Sequence, residues 1–230
     1  MQAVTFVSRR DSDSYLEHHL SYYPRSKTYA ATPGHAGAPE PGVQYRIFSP
    51  GSEILRCFSC HSTGPLSLDA DNRIQPSENG VRCEACHGPG SIHAAAPSKG
   101  NIIQPGRYNS ADLNLFCGNC HRKPAAAGED TDWTNPWNAR HQPLYLAESR
   151  CFLQSRGKLN CLTCHNAHTG QTKTDCQSCH ARPKHTATVA VAGKNCVTCH
   201  MPAVKPSELL RFTNHWIGVY RAGATLRPRR

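Results

Sequence analysis

The pattern Cys-x-x-Cys-His occurs six times in this chain of 230 residues and uses twelve of its thirteen cysteines. The paired cysteines are Cys57 and Cys60, Cys83 and Cys86, Cys117 and Cys120, Cys161 and Cys164, Cys176 and Cys179, and Cys196 and Cys199. The histidines that follow them are His61, His87, His121, His165, His180 and His200. Thiols are nucleophiles and imidazoles bind metals. The pattern therefore indicates a group held twice through sulfur and once through nitrogen.

Three other uses of paired cysteines explain the pattern less well. A zinc ribbon needs Cys-x-x-Cys pairs but no histidine directly after each pair. A thioredoxin-like redox site usually has one pair near a βαβ pattern, and a disulfide framework does not demand one spacing six times. Covalent attachment of haem c explains every copy, because two thiols form thioethers with the haem vinyl groups and the next histidine ligates the iron. The sequence therefore predicts six haems c.

Each iron has a second axial position, opposite the histidine of its own motif. Methionine is a poor source of ligands, because the chain has only Met1 and Met201, and Met201 directly follows a motif histidine. Eight histidines lie outside the motifs. The adjacent His18 and His19 are expected to supply one ligand between them, and His18 is preferred. The candidate distal ligands are then His18, His35, His93, His141, His168, His185 and His215.

Seven candidates for six irons predict mainly bis-histidine ligation and low reduction potentials, since ligation by methionine and histidine raises the potential. His141 is the weakest candidate. The spare histidine is either structural or a ligand to a haem of another chain. Cys151 belongs to no motif, and we expect it to be a packing thiol on a helix; an intermolecular disulfide and a contact with a haem edge are the alternatives.

The composition fits a chain whose core is porphyrin. There are only about 38 residues for each haem, too few for six separate apolar cores. The mean hydropathy of −0.58 is low for a domain of this length. We expect a mostly irregular chain with short α-helices wrapped around the haem array, with little or no β-sheet. Residues 1–230 are expected to form one hexahaem unit, with 1–123 and 124–230 as alternative loose lobes.

Several helices can be placed from local signals. Ser52 is the expected N-cap of a helix that carries the first motif, and Ser110 that of the helix with the third. Gly88 to Gly90 is expected to break the turn of the second motif. Apolar spacing predicts the best ordinary helix over residues 141–155 and a short closing helix over 206–220, capped at Ser207.

The formal charge of +10 suggests an anionic partner at first. Haem propionates change this balance, because six ferric bis-histidine haems bring the total to roughly +4 and six ferrous haems to roughly −2. The basic excess is therefore expected to balance propionates. No basic run with interleaved aromatic residues indicates nucleic-acid binding, and the tail Arg227 to Arg230 is read as a solvated terminus.

No apolar run approaches the length of a membrane span, and the first residues lack the apolar region of a secretory signal. Haem is attached to this motif outside the cytoplasmic membrane. We therefore expect a periplasmic or extracellular location, with a signal removed or a longer parent chain. The expected partners are other redox proteins or copies of the chain itself, as a homopolymer or as a subunit of a larger electron-transfer complex.

Four stretches carry a more specific resemblance: CFSCHSTGP, GVRCEACHGPGSIHA, SRCFLQSRGKLNCLTCHNAH, and CVTCHMP followed by FTNHWI. Together they resemble multihaem c-type cytochromes with doubled motifs, a group related to the tetrahaem cytochromes that accept electrons from hydroxylamine oxidoreductase. The resemblance covers roughly residues 15–220. It implies that His93, His168 and His215 are distal ligands. Members often have further haem motifs upstream, which this chain lacks.

Electron transfer through the haems is the expected function. The alternative is a multihaem oxidoreductase that acts on a small nitrogen or sulfur compound at one open-faced haem, which needs acid–base groups nearby. Enzymes of the nitrite-reducing type often carry lysine in place of a motif histidine, whereas all six motifs here end in histidine. The surplus of histidines leaves no iron obviously vacant. No catalytic residue is therefore assigned.

Overall fold

The computed structural model of the chain describes residues 2–35, 45–173, 175–181, 185 and 195–229. These residues group into two compact units, Met1–Gln104 and Pro105–Arg230. The first unit contains the first two Cys-x-x-Cys-His motifs, and the second contains the other four.

An antiparallel sheet begins the first unit. Its strands are β1 (Val4–Arg9), β2 (Tyr15–Tyr23), β3 (Thr28–Ala31) and β4 (Tyr45–Phe48), and β2 pairs with each of the other three. We define the inner face of this sheet by Tyr15, Glu17, His19, Ser21 and Tyr23, because alternate side chains of a strand share a face. Tyr15, Ser21 and Tyr23 are buried there.

The described residues form eight strands in antiparallel sheets, so the expectation of little or no β-sheet is wrong. Side chains of β2 do alternate between a more buried and a more exposed face, but the residue types do not alternate between apolar and polar. The buried positions carry tyrosine and serine, and the partly buried His19 shares their face, while Leu20 on the opposite face is half exposed. Hydropathy therefore does not alternate along the strand, so the sequence does not show the two-residue period that predicts a strand.

The rest of the first unit is a hairpin between helical turns. Helix α1 (Glu53–His61) runs directly into β5 (Ser62–Leu68), which pairs with β6 (Ile74–Asn79). Helices α2 (Cys83–His87) and α3 (Ser91–Ala95) follow. Both hairpin strands contain proline, which is tolerated because one edge of each strand is unpaired.

The predicted local signals in the first unit are partly confirmed. Ser52 is the N-cap residue of α1, although its side chain makes no capping hydrogen bond. Gly88 ends α2 with a φ of 69°, a conformation that favours glycine, and separates it from α3 as predicted.

The second unit is mainly helical. Short 3₁₀ turns cover Pro105–Arg107, Pro136–Arg140 and Cys176–Ser178. The α-helices are α4 (Ser110–His121), α5 (Gln142–Ala147), α6 (Arg150–Gln154), α7 (Cys161–Cys164) and α8 (Cys196–His200). A hairpin of β7 (Ala203–Ser207) and β8 (Leu210–Thr213) follows.

Three helix predictions need correction in this unit. Asn109, rather than Ser110, is the N-cap of α4, because its side chain accepts a hydrogen bond from the Asp112 amide. The helix predicted over residues 141–155 is interrupted between α5 and α6. The helix predicted over 206–220 is absent, because its first half pairs as the β7–β8 hairpin, and Ser207 ends β7.

A small apolar core supports the second unit. Leu113 of α4, Leu144 and Tyr145 of α5, and Val204 of β7 are almost completely buried. The amide of the buried Asn114 donates to the Pro143 carbonyl at 2.9 Å and so ties α4 to the start of α5. The core is thus held by packing and by one satisfied buried amide.

Substitution of Leu144 by alanine should lower the free energy of unfolding by about 3 kcal/mol, because it removes methyl groups from a fully buried site and leaves a cavity. Leu153→Ala is the matched control, since Leu153 is 66% exposed in the same unit. Its effect should stay within about 0.5 kcal/mol. Denaturant titration followed by circular dichroism measures both. Equal effects of the two substitutions would contradict the placement of this core.

Candidate functional site

Each of the six motifs forms one turn of helix. Helices α1, α2, α4 and α8 include the whole motif. In the other two, the amide of the motif histidine donates to the carbonyl of the first cysteine at 2.9 Å, from His165 to Cys161 and from His180 to Cys176. Residues three and four apart lie on one face of such a turn. The geometry therefore presents two thiols and one imidazole together in every motif.

Side-chain caps stabilise the last three of these short turns. Asn160, Asp175 and Asn195 each precede the first cysteine of a motif, and each accepts a hydrogen bond from a backbone amide within the turn. A single turn of helix is unfavourable alone, because it fixes many dihedrals for few hydrogen bonds. The capping residue compensates for part of this cost. The signal in the sequence is an asparagine or aspartate directly before the first cysteine, which sequence patterns had not linked to these turns.

Apolar side chains next to the motifs are left exposed. Val81, two residues before the second motif, is 62% exposed, and Leu115, two residues before the third, is 45% exposed. Leu162 inside the fourth motif is 37% exposed. No disulfide joins any of the thirteen cysteines. Thiol pairs beside uncovered apolar surface suit a large apolar group attached through sulfur, so the residues present fit haem c.

The β5–β6 hairpin brings the first two motifs together. His61 is followed directly by β5, and β6 ends four residues before Cys83. The buried Thr63 hydroxyl donates to the Gly80 carbonyl at 2.8 Å and accepts from the Arg82 amide at 2.9 Å. This crosslink holds the end of one motif next to the start of the other.

The four motifs of the second unit are neighbours in chain order. The thiols of Cys117 and Cys161 share a hydrogen bond, which lowers the pKa of Cys117 to about 7 and raises that of Cys161. The chain then folds back after the fourth motif, because the Lys173 amide donates to the Cys164 carbonyl at 2.8 Å. Cys176 follows three residues later and contacts Cys196 of the last motif through another side-chain hydrogen bond. Motifs three to six thus form a continuous row.

Four histidines are oriented by hydrogen bonds from Nδ1 to an oxygen. His87 donates to the Ile103 carbonyl at 2.7 Å, His93 to Asn101 Oδ1 at 2.9 Å, His200 to the Gly218 carbonyl at 2.9 Å, and His215 to the Thr213 carbonyl at 2.9 Å. In a neutral ring this leaves Nε2 as the unprotonated nitrogen, and such outer hydrogen bonds are typical of metal-ligating histidines.

His215 faces the histidine of the fourth motif. The rings of His165 and His215 lie nearly parallel, 18° apart, with centroids separated by 6.1 Å. Burial lowers the pKa of His215 to about 4, although its hydrogen bond to Thr213 acts in the opposite direction. Burial also lowers the pKa of His165. Both rings therefore tend to remain neutral, the form in which an imidazole can ligate a metal.

Two buried polar side chains fix the segment that carries His215. The Ser149 hydroxyl donates to the His215 carbonyl at 2.8 Å and accepts from the Ile217 amide at 2.8 Å. Asn214 accepts from the Trp216 amide at 2.8 Å, and its own amide donates to the carbonyl oxygens of Thr225 and Leu226. The interruption between α5 and α6 is what places Ser149 in this position. Sequence patterns missed Ser149, because a lone serine in a predicted helix carries no signal.

A second histidine pair involves the last motif. The rings of His185 and His200 have centroids 6.0 Å apart and planes inclined at 66°. His185, a predicted distal ligand, therefore lies beside the histidine of the sixth motif. His168 lies in the loop after the fourth motif, where its amide donates to Asn166 Oδ1 at 3.0 Å.

The N-terminal histidines lie on opposite faces of β2. His18 Nε2 lies 2.7 Å from Ser8 Oγ on the outer side. His19 lies on the inner face, where its ring centroid is 5.6 Å from that of His35. His35 donates from Nε2 to Glu17 Oε2 at 3.0 Å. The pairing of His19 with His35 and the role of Glu17 are features that sequence analysis missed.

The two remaining residues singled out in the sequence lie in the second unit. The Nδ1 atom of His141 is buried without a hydrogen-bond partner, and burial next to Arg140 lowers its pKa to about 4. Cys151 is partly buried in α6, where burial raises the pKa of its thiol and where Cys164 and Cys179 are electrostatic neighbours.

Within the described residues, no three or more His, Cys, Asp or Glu side chains converge on one point that could hold a metal ion. The helices of the described part are too short or too polar to cross a membrane.

Comparison with known proteins gives a consistent picture. The family described as cytochrome c554 and c-prime matches residues 34–88, which contain the first two motifs. No curated protein sequence matches the chain. Among solved structures, the outer cell wall cytochrome OcwA is 15% identical with a TM-score of 0.54, over 93% of this chain and 65% of its own length.

An undecahaem cytochrome from the S-layer of Carboxydothermus ferrireducens is 19% identical with a TM-score of 0.46, over 94% of this chain. The chain spans 45% of that protein's length. The link to hydroxylamine oxidoreductase stays a prediction. The chain shares the fold of the outer cell wall cytochrome OcwA, and the family match over residues 34–88 supports haem-based electron transfer.

Proposed function

We propose that the chain transfers electrons along six covalently attached haems c carried by residues 1–230 as one unit. The observation that supports this proposal is the repetition of one helical turn, which presents two thiols and an imidazole on one face six times. The bound iron would supply one-electron redox chemistry by cycling between ferric and ferrous states. The protein attaches, spaces and orients the haems.

The twelve motif cysteines form the thioethers, and the six motif histidines are the proximal ligands. The distal ligands come from His18, His35, His93, His141, His168, His185 and His215. If one iron were held between two imidazole nitrogens, each at about 2 Å, the ring centres would be about 6 Å apart. The spacings of His165 with His215 and of His185 with His200 support bis-histidine ligation of the fourth and sixth haems.

The row of motifs three to six supports transfer between neighbouring haems. Attachment points in contact keep the attached groups close, and short edge-to-edge distances favour electron hopping. The partners are other redox proteins or further copies of the chain. The location is periplasmic or extracellular, in keeping with the outer cell wall cytochrome OcwA, whose fold the chain shares. No catalytic residue is assigned.

The haem count tests this function directly. The intact mass of the denatured protein should exceed that of the polypeptide by six haems. Replacing both cysteines of one motif, as in Cys57→Ser with Cys60→Ser, should remove one haem. Cys151→Ser is the matched control and should retain all six, because Cys151 lies outside the motifs. A parent protein with fewer than six haems, or with bound zinc, would contradict the proposal.

His215→Ala should open one iron to water or small ligands, because it removes the imidazole that faces His165. One haem in six should become high-spin, its potential should rise, and the reduced variant should bind carbon monoxide while the parent binds little. Optical spectra with and without carbon monoxide measure this. Tyr220→Phe, in the same segment, should keep the parent spectrum. A high-spin haem in the parent would favour the oxidoreductase alternative, and an unchanged His215→Ala spectrum would exclude His215 as a ligand.

A further inference from the structure

A largely buried carboxylate lies on the inner face of the N-terminal sheet. The Glu17 side chain is 18% exposed and accepts a hydrogen bond from His35, which is 10% exposed, at 3.0 Å. The same carboxylate oxygen lies 3.6 Å from Arg46 Nε. A carboxylate this far removed from water needs such partners, because an unpaired buried charge is strongly destabilising.

The backbone places all three side chains. Glu17 and Arg46 are opposite each other in the β2–β4 pairing, so their side chains share the inner face. His35 is positioned by a turn in which its amide donates to the Thr32 carbonyl at 3.0 Å. Thr32 is itself fixed to β2, because its amide donates to the His19 carbonyl and its hydroxyl to the His18 carbonyl, both at 2.6 Å. The network is therefore rigidly attached to the sheet.

The network is also close to the first motif. Strand β4 ends at Phe48, and a turn closed by the Ser52 amide and the Ser49 carbonyl leads directly into α1. Cys57 lies in that helix. Burial raises the pKa of the Cys57 thiol most, the Glu17 charge raises it further, and the Arg46 charge lowers it. The first attachment site thus lies within the electrostatic field of both residues.

A fixed negative charge beside a redox centre favours the oxidised state, which carries one more positive charge than the reduced state. Hydrogen bonds around a metal site add to this control by fixing the orientation of imidazole rings. We propose that Glu17 is a positioning residue for the first haem site: its carboxylate holds His35 and Arg46 on the inner face and lowers the reduction potential of that haem. This inference rests on the proposed function and deepens it at one site.

The test is a redox titration of the haem-loaded protein, followed optically. Glu17→Gln keeps the size of the side chain but removes its charge, so one of the haem potentials should shift to a more positive value. Glu17→Asp keeps the charge and should restore most of the parent potential. Asp71→Asn is the control, because Asp71 is 68% exposed in the same unit and its charge is screened by water. It should leave every potential unchanged.

Arg46→Gln supplies an independent reading, which matters if Glu17→Gln does not fold. Loss of the cation leaves the carboxylate unopposed, so the same potential should shift to a more negative value. A fully loaded Glu17→Gln protein with parent potentials would overturn the inference, as would an Arg46→Gln protein without the negative shift. A parent without covalent haem would instead overturn the proposed function, so the two failures are distinguishable by mass.

Discussion

The structure depends on a single turn of helix, repeated six times, that keeps two thiols and one imidazole on the same face. In such a turn the second cysteine lies three positions after the first, and the histidine lies four positions after it. This spacing returns to the same face of the helix after about one full turn. An extended segment would place neighbouring side chains on opposite faces. The motif therefore constrains the local backbone as strongly as it constrains the chemistry.

This constraint explains why the elements are short. Every motif needs only one turn, and a side-chain N-cap stabilises each of the last three, as at Asn160 and Asn195. The protein core is correspondingly small and is concentrated around Leu113, Leu144 and Tyr145 in the second unit. Apolar residues beside the motifs remain uncovered by protein. A porphyrin covering them would contribute hydrophobic stabilisation in proportion to the area removed from water.

The sequence predicted the positions of the motifs better than the architecture around them. Residue type and spacing alone located all six motifs, because the pattern Cys-x-x-Cys-His is visible in each short segment. The strands were missed for a physical reason: β2 buries tyrosine and serine rather than aliphatic side chains, so its alternation is not one of hydropathy. The helix expected over 206–220 failed because cross-strand pairing of Val204 with Phe212 outweighs local propensity. Neither the burial of polar side chains in β2 nor the pairing of β7 with β8 can be predicted from one short segment of sequence.

The predicted distal ligands also depend partly on local sequence and partly on contacts between distant residues. A count of histidines predicts how many ligands are available but does not predict which rings meet. The approach of His215 to His165 depends on Ser149, which lies more than sixty residues from His215 and bonds to its carbonyl. The position of Ser149 depends in turn on the interruption between α5 and α6, where a continuous helix was expected. The break between α5 and α6, which made the helix prediction wrong, thus positions Ser149 and through it directs His215 towards the fourth motif. One interrupted helix therefore determines the environment of the iron proposed there.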